Sequence, residues 1–431
     1  MSLNNPLRWI LVLVLAILFA ALLWWLLTAS GVAALGDAPA VYETGSPAPT
    51  TAEVEPNAAY ADATPIGLGD VAAGKIAYPG DRDTFLFTPS SSTTFLVDID
   101  AAADGSALDP VVCVYDSQYL PPQEIDCNDN SNGLDALVYY YTNAPVYIRV
   151  SDANHPDEGG PAYSYKLSVY RPLLVSAAID GTVAGIPFTK SDVLAHHDFS
   201  DGTERWMLFF DASDVGLTQN LVALDAPDQS GEGFSFALAA AQTLPVYNPP
   251  TGDYRPQAVR PQDAMIFTPL NHNYTEPYGQ FGPTTLGRFF FGQRGADRGL
   301  TTATEKIDAL GGGVSTTGKA VFPNGVVAQD EDLADIYNQS VTFDGSATPG
   351  LAAEDVVGAD ATEWNTDRFA YDRTLLVIQG SGRVGWLAVT QKDIFAVDAQ
   401  TGAVLGRVWS GPAHHFNYAI DAFDAVDPYT E

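Results

Sequence analysis

The stretch Ala52–Tyr60, AEVEPNAAY, sets Glu53 and Glu55 one residue apart and follows them with Pro56-Asn57. Beside a Pro-rich linker, an acidic pair reads most plainly as solvated surface. Nitrogen ligands occur elsewhere, in the adjacent pairs His196-His197, followed by Asp198, and His414-His415. Neighbours on a strand point to opposite faces, so each pair offers at most one ligand to a shared site. A metal site joining the two pairs is one reading; surface or turn histidines are the expected one. Gly313–Ala320, GVSTTGKA, falls one residue short of GxxxxGK[ST]. Ala320 replaces the Mg²⁺-binding hydroxyl and the context is strand to strand, so the match is accidental. Asn128–Gly133, NDNSNG, alternates oxygens like a calcium loop, but the twelfth position is Tyr139 rather than Glu. A turn of residues that tolerate left-handed backbone is expected there. The chain has no HExxH and no GxSxG. No catalytic residue is nominated, and a non-enzymatic protein is expected.

These residues need a frame and a compartment. Trp9–Leu27 contains no charged residue, Arg8 precedes it, and the first charges beyond it are Asp37 and Glu43. That length spans a hydrocarbon core of about 30 Å as a helix. The positive-inside rule then predicts a single-pass anchor with a cytoplasmic N-terminus and everything after Ser30 outside. A cleaved signal peptide, with Thr28-Ala29-Ser30 as the small-residue site, is the alternative. Residues 1–30 are thus read as stub and transmembrane helix, and 31–52 as a Pro/Ala/Thr-rich tether.

Composition narrows the partners. Across 431 residues, Asp+Glu number 53 and Lys+Arg 20, a net charge of −33. Nucleic acid and anionic lipid surfaces both need a basic footprint and are excluded as partners. Divalent cations and a salty exterior are compatible.

Residues 53–171 carry short β-branched and aromatic runs, among them Thr94–Ile99, Val111–Tyr115 and Val146–Val150, separated by Gly/Asp/Asn turns. That spacing predicts an antiparallel sandwich. Cys113 lies in one apolar run and Cys127 ends the next. Adjacent antiparallel strands would bring them to bridging distance, and export favours a disulfide.

Glu53-Val54-Glu55-Pro56-Asn57, Gly74-Lys75-Ile76, Gly80-Asp81-Arg82-Asp83-Thr84-Phe85 and Tyr165-Lys166-Leu167 occur in that order. Together they resemble the bacterial pre-peptidase C-terminal domain, with its ExEPN opening, GxI strand and GDxDxF turn. The resemblance implies a jelly-roll-like sandwich. In calcium-binding members it implies chelation by Glu53, Glu55 and Asn57, with Asp81 and Asp83 in the neighbouring turn. Ca²⁺ takes six to eight oxygens, and alternate residues of an extended segment share a face. An ordinary surface strand and turn is the alternative. One departure from the pattern is Ala58, where such sites often carry another acid or amide.

Residues 172–431 repeat. Asp192, Asp263, Asp332 and Asp393 each open an apolar run and stand 71, 69 and 61 residues apart. Closing runs Leu221–Leu224, Ile307–Leu310 and Ile420–Phe423 follow in three units, and the third unit lacks a clear one. Four strands per unit and four units predict a four-bladed β-propeller, with a second pair of sandwiches as the alternative. The unit resembles a repeat of exported bacterial proteins that implies no function. The aspartates are expected to hold turns through backbone hydrogen bonds. The whole reads as an all-β, membrane-anchored binding or scaffold protein of the cell envelope, displaying surfaces for protein or glycan. A hydrolase or lyase with its site in the propeller channel is the alternative.

Overall fold

A computed structural model describes residues 43–425 apart from 130–134, 154–156, 226–232, 270–284, 286, 303–304, 312–313, 318–319, 330, 336–337 and 366–369. The apolar Trp9–Leu27 run lies outside the described residues. Among those described, no helix is long and apolar enough to cross a membrane. Every regular element described is a strand or a short 3₁₀ turn.

The first half contains β1 (Glu43–Thr44), β2 (Thr51–Ala52), β3 (Thr64–Ile66), β4 (Val71–Lys75), β5 (Asp83–Phe87) and β6 (Thr93–Asp100). It continues through β7 (Pro110–Asp116), β8 (Gln123–Asn128), β9 (Leu137–Thr142), β10 (Val146–Asp152) and β11 (Ser164–Tyr170). Two five-stranded sheets, ordered β3-β5-β10-β7-β8 and β2-β4-β11-β6-β9, form the sandwich. Phe85, Phe87 and Ile148 of one meet Phe95, Val97, Ile99 and Leu167 of the other in a single core. In β10, VYIRVSD, every second residue is buried, the period-2 signature of a sheet with one inner face. Cys113 and Cys127 are register partners on β7 and β8 and are joined by a disulfide.

Strand β6, TTFLVDID, is buried at all eight positions. Phe95, Val97 and Ile99 face the sandwich core. The alternate residues Leu96, Asp98 and Asp100 face the second half, so both sides of this strand are covered. Leu96, Tyr139 and Tyr170 join Phe209, Phe234 and Phe289 of the repeats in one continuous core. Arg205, buried on the second half, donates to Asp98 and, at 2.6 Å, to Asp100. It also pairs with Glu43 at 2.9 Å and reaches the Gly45 carbonyl. Burial, then Glu43, pushes Asp100 up. The segment read as the end of a tether is therefore strand-paired from Glu43 onward. β1 pairs antiparallel with a strand of the repeats at Met207 and Trp206, and β2 runs parallel to β4.

The second half has four units of six strands. The first is β12 (Leu173–Ala177), β13 (Gly181–Val183), β14 (Ile186–Phe188), β15 (Val193–Asp198), β16 (Glu204–Phe210) and β17 (Leu221–Asp225). The second is β18 (Phe234–Leu238), β19 (Gln242–Asn248), β20 (Asp253–Val259), β21 (Ala264–Pro269), β22 (Gly287–Gln293) and β23 (Ile307–Gly311). The third is β24 (Val314–Thr317), β25 (Ala320–Val321), β26 (Val327–Ala328), β27 (Leu333–Asp335), β28 (Ser340–Phe343) and β29 (Val356–Asn365). The fourth is β30 (Ala370–Ile378), β31 (Ser381–Val384), β32 (Leu387–Thr390), β33 (Asp393–Asp398), β34 (Val404–Ser410) and β35 (Ile420–Ala425).

In each unit the second and third strands make a small hairpin, and the closing strand leaves for the next unit's sheet. The sheets run β17-β18-β21-β22-β19-β20, where the hairpin joins its sheet, then β23-β24-β27-β28 and β29-β30-β33-β34, and β35 returns to the first as β35-β12-β15-β16-β1. The closing strand missing from the sequence pattern of the third unit is β29. Gly358 stands in it because a Cβ there would lie 2.9 Å from the Phe423 ring on β35.

The four spaced aspartates make one repeated contact. Their Oδ2 atoms accept from the backbone N–H of Thr189, Arg260, Gln329 and Thr390, three residues upstream in each case. Their Oδ1 atoms accept from Ala212 N, Gly295 N, Gly345 N and the Ser410 hydroxyl. Each aspartate thus ties the turn before the fourth strand of its unit to the end of the fifth.

Candidate functional site

Glu53 follows β2, and its N–H donates to the Ala73 carbonyl, extending the pairing with β4. Its Oε1 accepts from Lys75 N at 2.9 Å. Glu55 Oε2 accepts from Asn57 N at 3.0 Å. Asp83 opens β5 with its Oδ2 accepting from the Tyr165 hydroxyl at 2.7 Å. Gly74 of the GxI strand makes room for that tyrosine, since a Cβ would stand 2.3 Å from its ring. Glu53, Glu55 and Asp83 each bring a carboxylate oxygen within 4.8 Å of the other two.

The other two nominated residues behave differently. Asp81 is buried and holds its own turn, accepting from Ala77 N at 2.7 Å and Arg82 N at 3.0 Å. Asn57 is buried with no hydrogen-bond partner for either Oδ1 or Nδ2 among the described residues. Burial, then Glu53, pushes the Asp83 carboxyl up to about 9, and burial raises Glu53 as well. At neutral pH this arrangement holds a proton or takes a cation. Glu53 and Asp83 interact carboxyl to carboxyl, and their oxygens together with the unpartnered Asn57 Oδ1 suit a hard ion.

The pair on β15 splits as strand alternation requires, whereas His414 ends a 3₁₀ turn and His415 caps it, so both of those rings approach Glu204. His197 turns away: its Nδ1 lies 3.0 Å from the Arg171 carbonyl, its ring stacks on Tyr170, and burial lowers it to about 4, keeping it neutral. His196 and His414 come together with Asp198 and Glu204. Glu204 was not singled out by sequence. It stands directly opposite Asp198 in the β15–β16 register, and the Ser200-Asp201-Gly202 turn is the signal that would have found it.

A third cluster also escaped sequence reading. Asp225, Asp360 and Asp424, from the closing strands β17, β29 and β35, bring carboxylate oxygens within 4.8 Å of one another. Each follows a buried apolar residue, Leu224, Ala359 and Phe423, so an alignment of the closing strands was the available signal. Of the remaining motifs, Gly313 and Gly318-Lys319 of the GxxxxGK-like stretch lie outside the described residues, as do Asn130–Gly133 of the asparagine-rich loop.

No protein-family model matches the chain, and no curated protein matches it. Among solved structures, it is similar to the pre-peptidase C-terminal domain of collagenase from Bacillus anthracis. The identity is 16%, the match covers 27% of this chain and 99% of that domain, and the TM-score is 0.21.

Proposed function

We propose that the protein is a membrane-anchored, extracytoplasmic binding scaffold, held by the Trp9–Leu27 helix and displaying two β modules as one block. In this reading residues 53–171 are a pre-peptidase C-terminal-type sandwich that takes Ca²⁺ at Glu53, Glu55 and Asp83, with the Asn57 carbonyl available. The four cyclically linked sheets are the blades of a propeller closed by β35. The observation that carries the reading is the shared core together with the buried Arg205 clamp. A binding surface spread over two modules needs them fixed, and here the sandwich cannot swing without exposing Tyr139 and Phe209. Trp386 supports a protein or glycan ligand: it is 61% exposed, and its indole N–H is tied to the Val404 carbonyl at 3.2 Å, which fixes the ring for stacking.

The test is an array of glycans and envelope proteins probed with the purified full chain. Specific binding that weakens at least about tenfold in Trp386→Ala supports the scaffold, because aromatic anchors dominate such contacts. A second reading, a hydrolase or lyase, draws on Asp225, Asp360 and Asp424. Turnover of any arrayed glycan that vanishes in Asp360→Asn would replace the scaffold reading with that one.

A further inference from the structure

His196 is fully buried on β15, and its Nε2 lies 3.0 Å from Glu204 Oε1 and 3.5 Å from Asp198 Oδ1. His414, in the turn between β34 and β35, places Nδ1 at 3.5 Å from Glu204 Oε1 and 3.6 Å from Asp198 Oδ2. Zinc binds imidazole nitrogen and carboxylate oxygen at about 2.0–2.1 Å in a tetrahedron, whose edges are then about 3.3–3.4 Å. With one oxygen of Asp198 as the ligand, three of the six edges already lie at 3.0–3.6 Å, and the four ligand atoms all stand within 4.8 Å of one another. Two neutral imidazoles and two carboxylates also balance a dication. Two nitrogens in the set disfavour Ca²⁺ and Mg²⁺, which take oxygen.

The surroundings hold these groups in place. Trp206 Nε1 donates to Glu204 Oε1 at 2.9 Å and to the His414 carbonyl at 3.1 Å, joining the first unit to the last. The His414 ring stacks on Trp409 with 4° between planes.

An independent observation comes from the repeat itself. Counted from the turn-holding aspartates, His196 occupies the position of Phe267 and Val397, both buried in the apolar core. The left-handed residue that ends the equivalent turn is Gly216, Gly299 and Gly350 in three units and His415 in the fourth, at φ 61°. The residue before it is Val215, Arg298 or Pro349 in those units and His414 here. His415 Nε2 then lies 4.0 Å from Glu204 Oε2. The first and fourth units thus depart from the repeat pattern at the positions that supply imidazoles to one point. A Cβ is accepted in backbone that favours glycine to place the third ring.

We propose that His196, Asp198, Glu204 and His414 form a zinc site that staples the β15–β16 hairpin of the first unit to the turn before β35, with His415 at its rim. The junction is the one where the chain closes on itself, since β35 pairs with β12 across the whole second half. Elsewhere consecutive units are joined by continuous chain; here hydrogen bonds and packing act alone, and the metal adds coordinate bonds between residues 196 and 414. The site rests on side-chain geometry and on the β12–β35 pairing, independently of the scaffold role.

The experiment uses the purified full chain, stripped with chelator and returned to buffer with excess Ca²⁺ so that the acidic clusters are occupied. Zinc retained after desalting, the melting temperature with and without Zn²⁺, and the visible spectrum with Co²⁺ are measured. One zinc per chain, a higher melting temperature and the strong d–d bands of tetrahedral cobalt are expected. Asp198→Asn and His414→Gln should each weaken binding by more than about 100-fold, since losing even an outer-shell partner costs 10–100-fold. No retained zinc, retention undiminished in both variants, or an octahedral cobalt spectrum would overturn the proposal. Both variants are close in shape to the residues they replace. Should either fail to fold, the cobalt spectrum of the unaltered chain decides.

Discussion

The acidic site of the sandwich and the histidine site of the repeats are built in opposite ways. Glu53 and Glu55 have a single residue between them beside β4, and Asp83 arrives at the start of β5 in the opposite sheet, through the connection that follows β4. His196 and His414 meet only after four units have formed and β35 has found β12. The first set is all oxygen with strained protonation; the second mixes nitrogen and oxygen in a frame of tryptophan rings. A site assembled from one local segment can order with its cation. A site assembled from residues 196–204 and residue 414 reports that β35 has paired with β12. Both regions depend on the joint between the halves, so the largest perturbation is to break that joint.

Arg205 is the residue to remove. Its guanidinium answers Glu43, Asp98 and Asp100, and without it the buried Asp98 and Asp100 would lose their guanidinium partner. Breaking a buried ion pair from one side costs about 3–5 kcal/mol. Arg205→Ala should lower urea-unfolding stability by that order and split a single transition into two, as the sandwich and the repeats come apart. One unchanged cooperative transition would mean that the shared core alone couples the halves.

A smaller effect separates the repeats from one another. Asp332 accepts Gln329 N at 2.9 Å and Gly345 N at 3.0 Å. Asp332→Ala strands two backbone donors, at about 1–3 kcal/mol for a buried group left unmade. Asp332→Asn keeps one acceptor and should lose about half as much. Because Asp263 makes the same two contacts, Asp263→Ala should match Asp332→Ala in urea unfolding. A large difference between them would mean the four turns are alike in sequence but not in energy.

How much of this was legible beforehand follows from the range of the interactions. The strands of the sandwich, the opposed cysteines and the turn-holding aspartates were readable because alternation and turn chemistry act over a few residues. The four units were readable because the aspartates recur. Arg205 was not, because nothing in RWMLFF says that its charge meets Asp98 and Asp100 from another module. The pairing of β1 was hidden in a Pro/Ala/Thr-rich stretch whose composition reads as linker. Alternation foretold that His196-His197 would give one ligand, but His414-His415 lies in a 3₁₀ turn that alternation does not govern, and nothing local said that Glu204 would complete the set. β29 escaped because Gly358 breaks the apolar pattern, and the reason for the glycine, the Phe423 ring, lies 65 residues downstream.

The remaining prediction distinguishes the two sites by their chemistry. Asp83 has a folded-state value of about 9, raised first by burial and then by Glu53. An unfolded aspartate titrates near about 3.9. Below about pH 4 both states are protonated and the group has no influence. Between about 4 and about 9 the unfolded chain has released the proton and the folded chain still holds it. The folded state then binds more protons, so stability falls as pH rises through this window. In chelator, the melting temperature should therefore decline from about pH 5 to about pH 8, and Asp83→Asn should flatten part of that slope. On the proposed site Ca²⁺ would take the place of the proton on the ionised carboxylates, and it should then raise melting more at pH 8 than at pH 5, by mass action on the folded state. Mg²⁺ should do less, because it demands a tighter octahedron and gives up water reluctantly. Asp83→Asn should lose most of the calcium response and leave zinc retention untouched. A calcium response equal in the unaltered chain and in Asp83→Asn would move the cation away from Glu53 and Glu55, and the acidic pair of AEVEPNAAY would be surface after all.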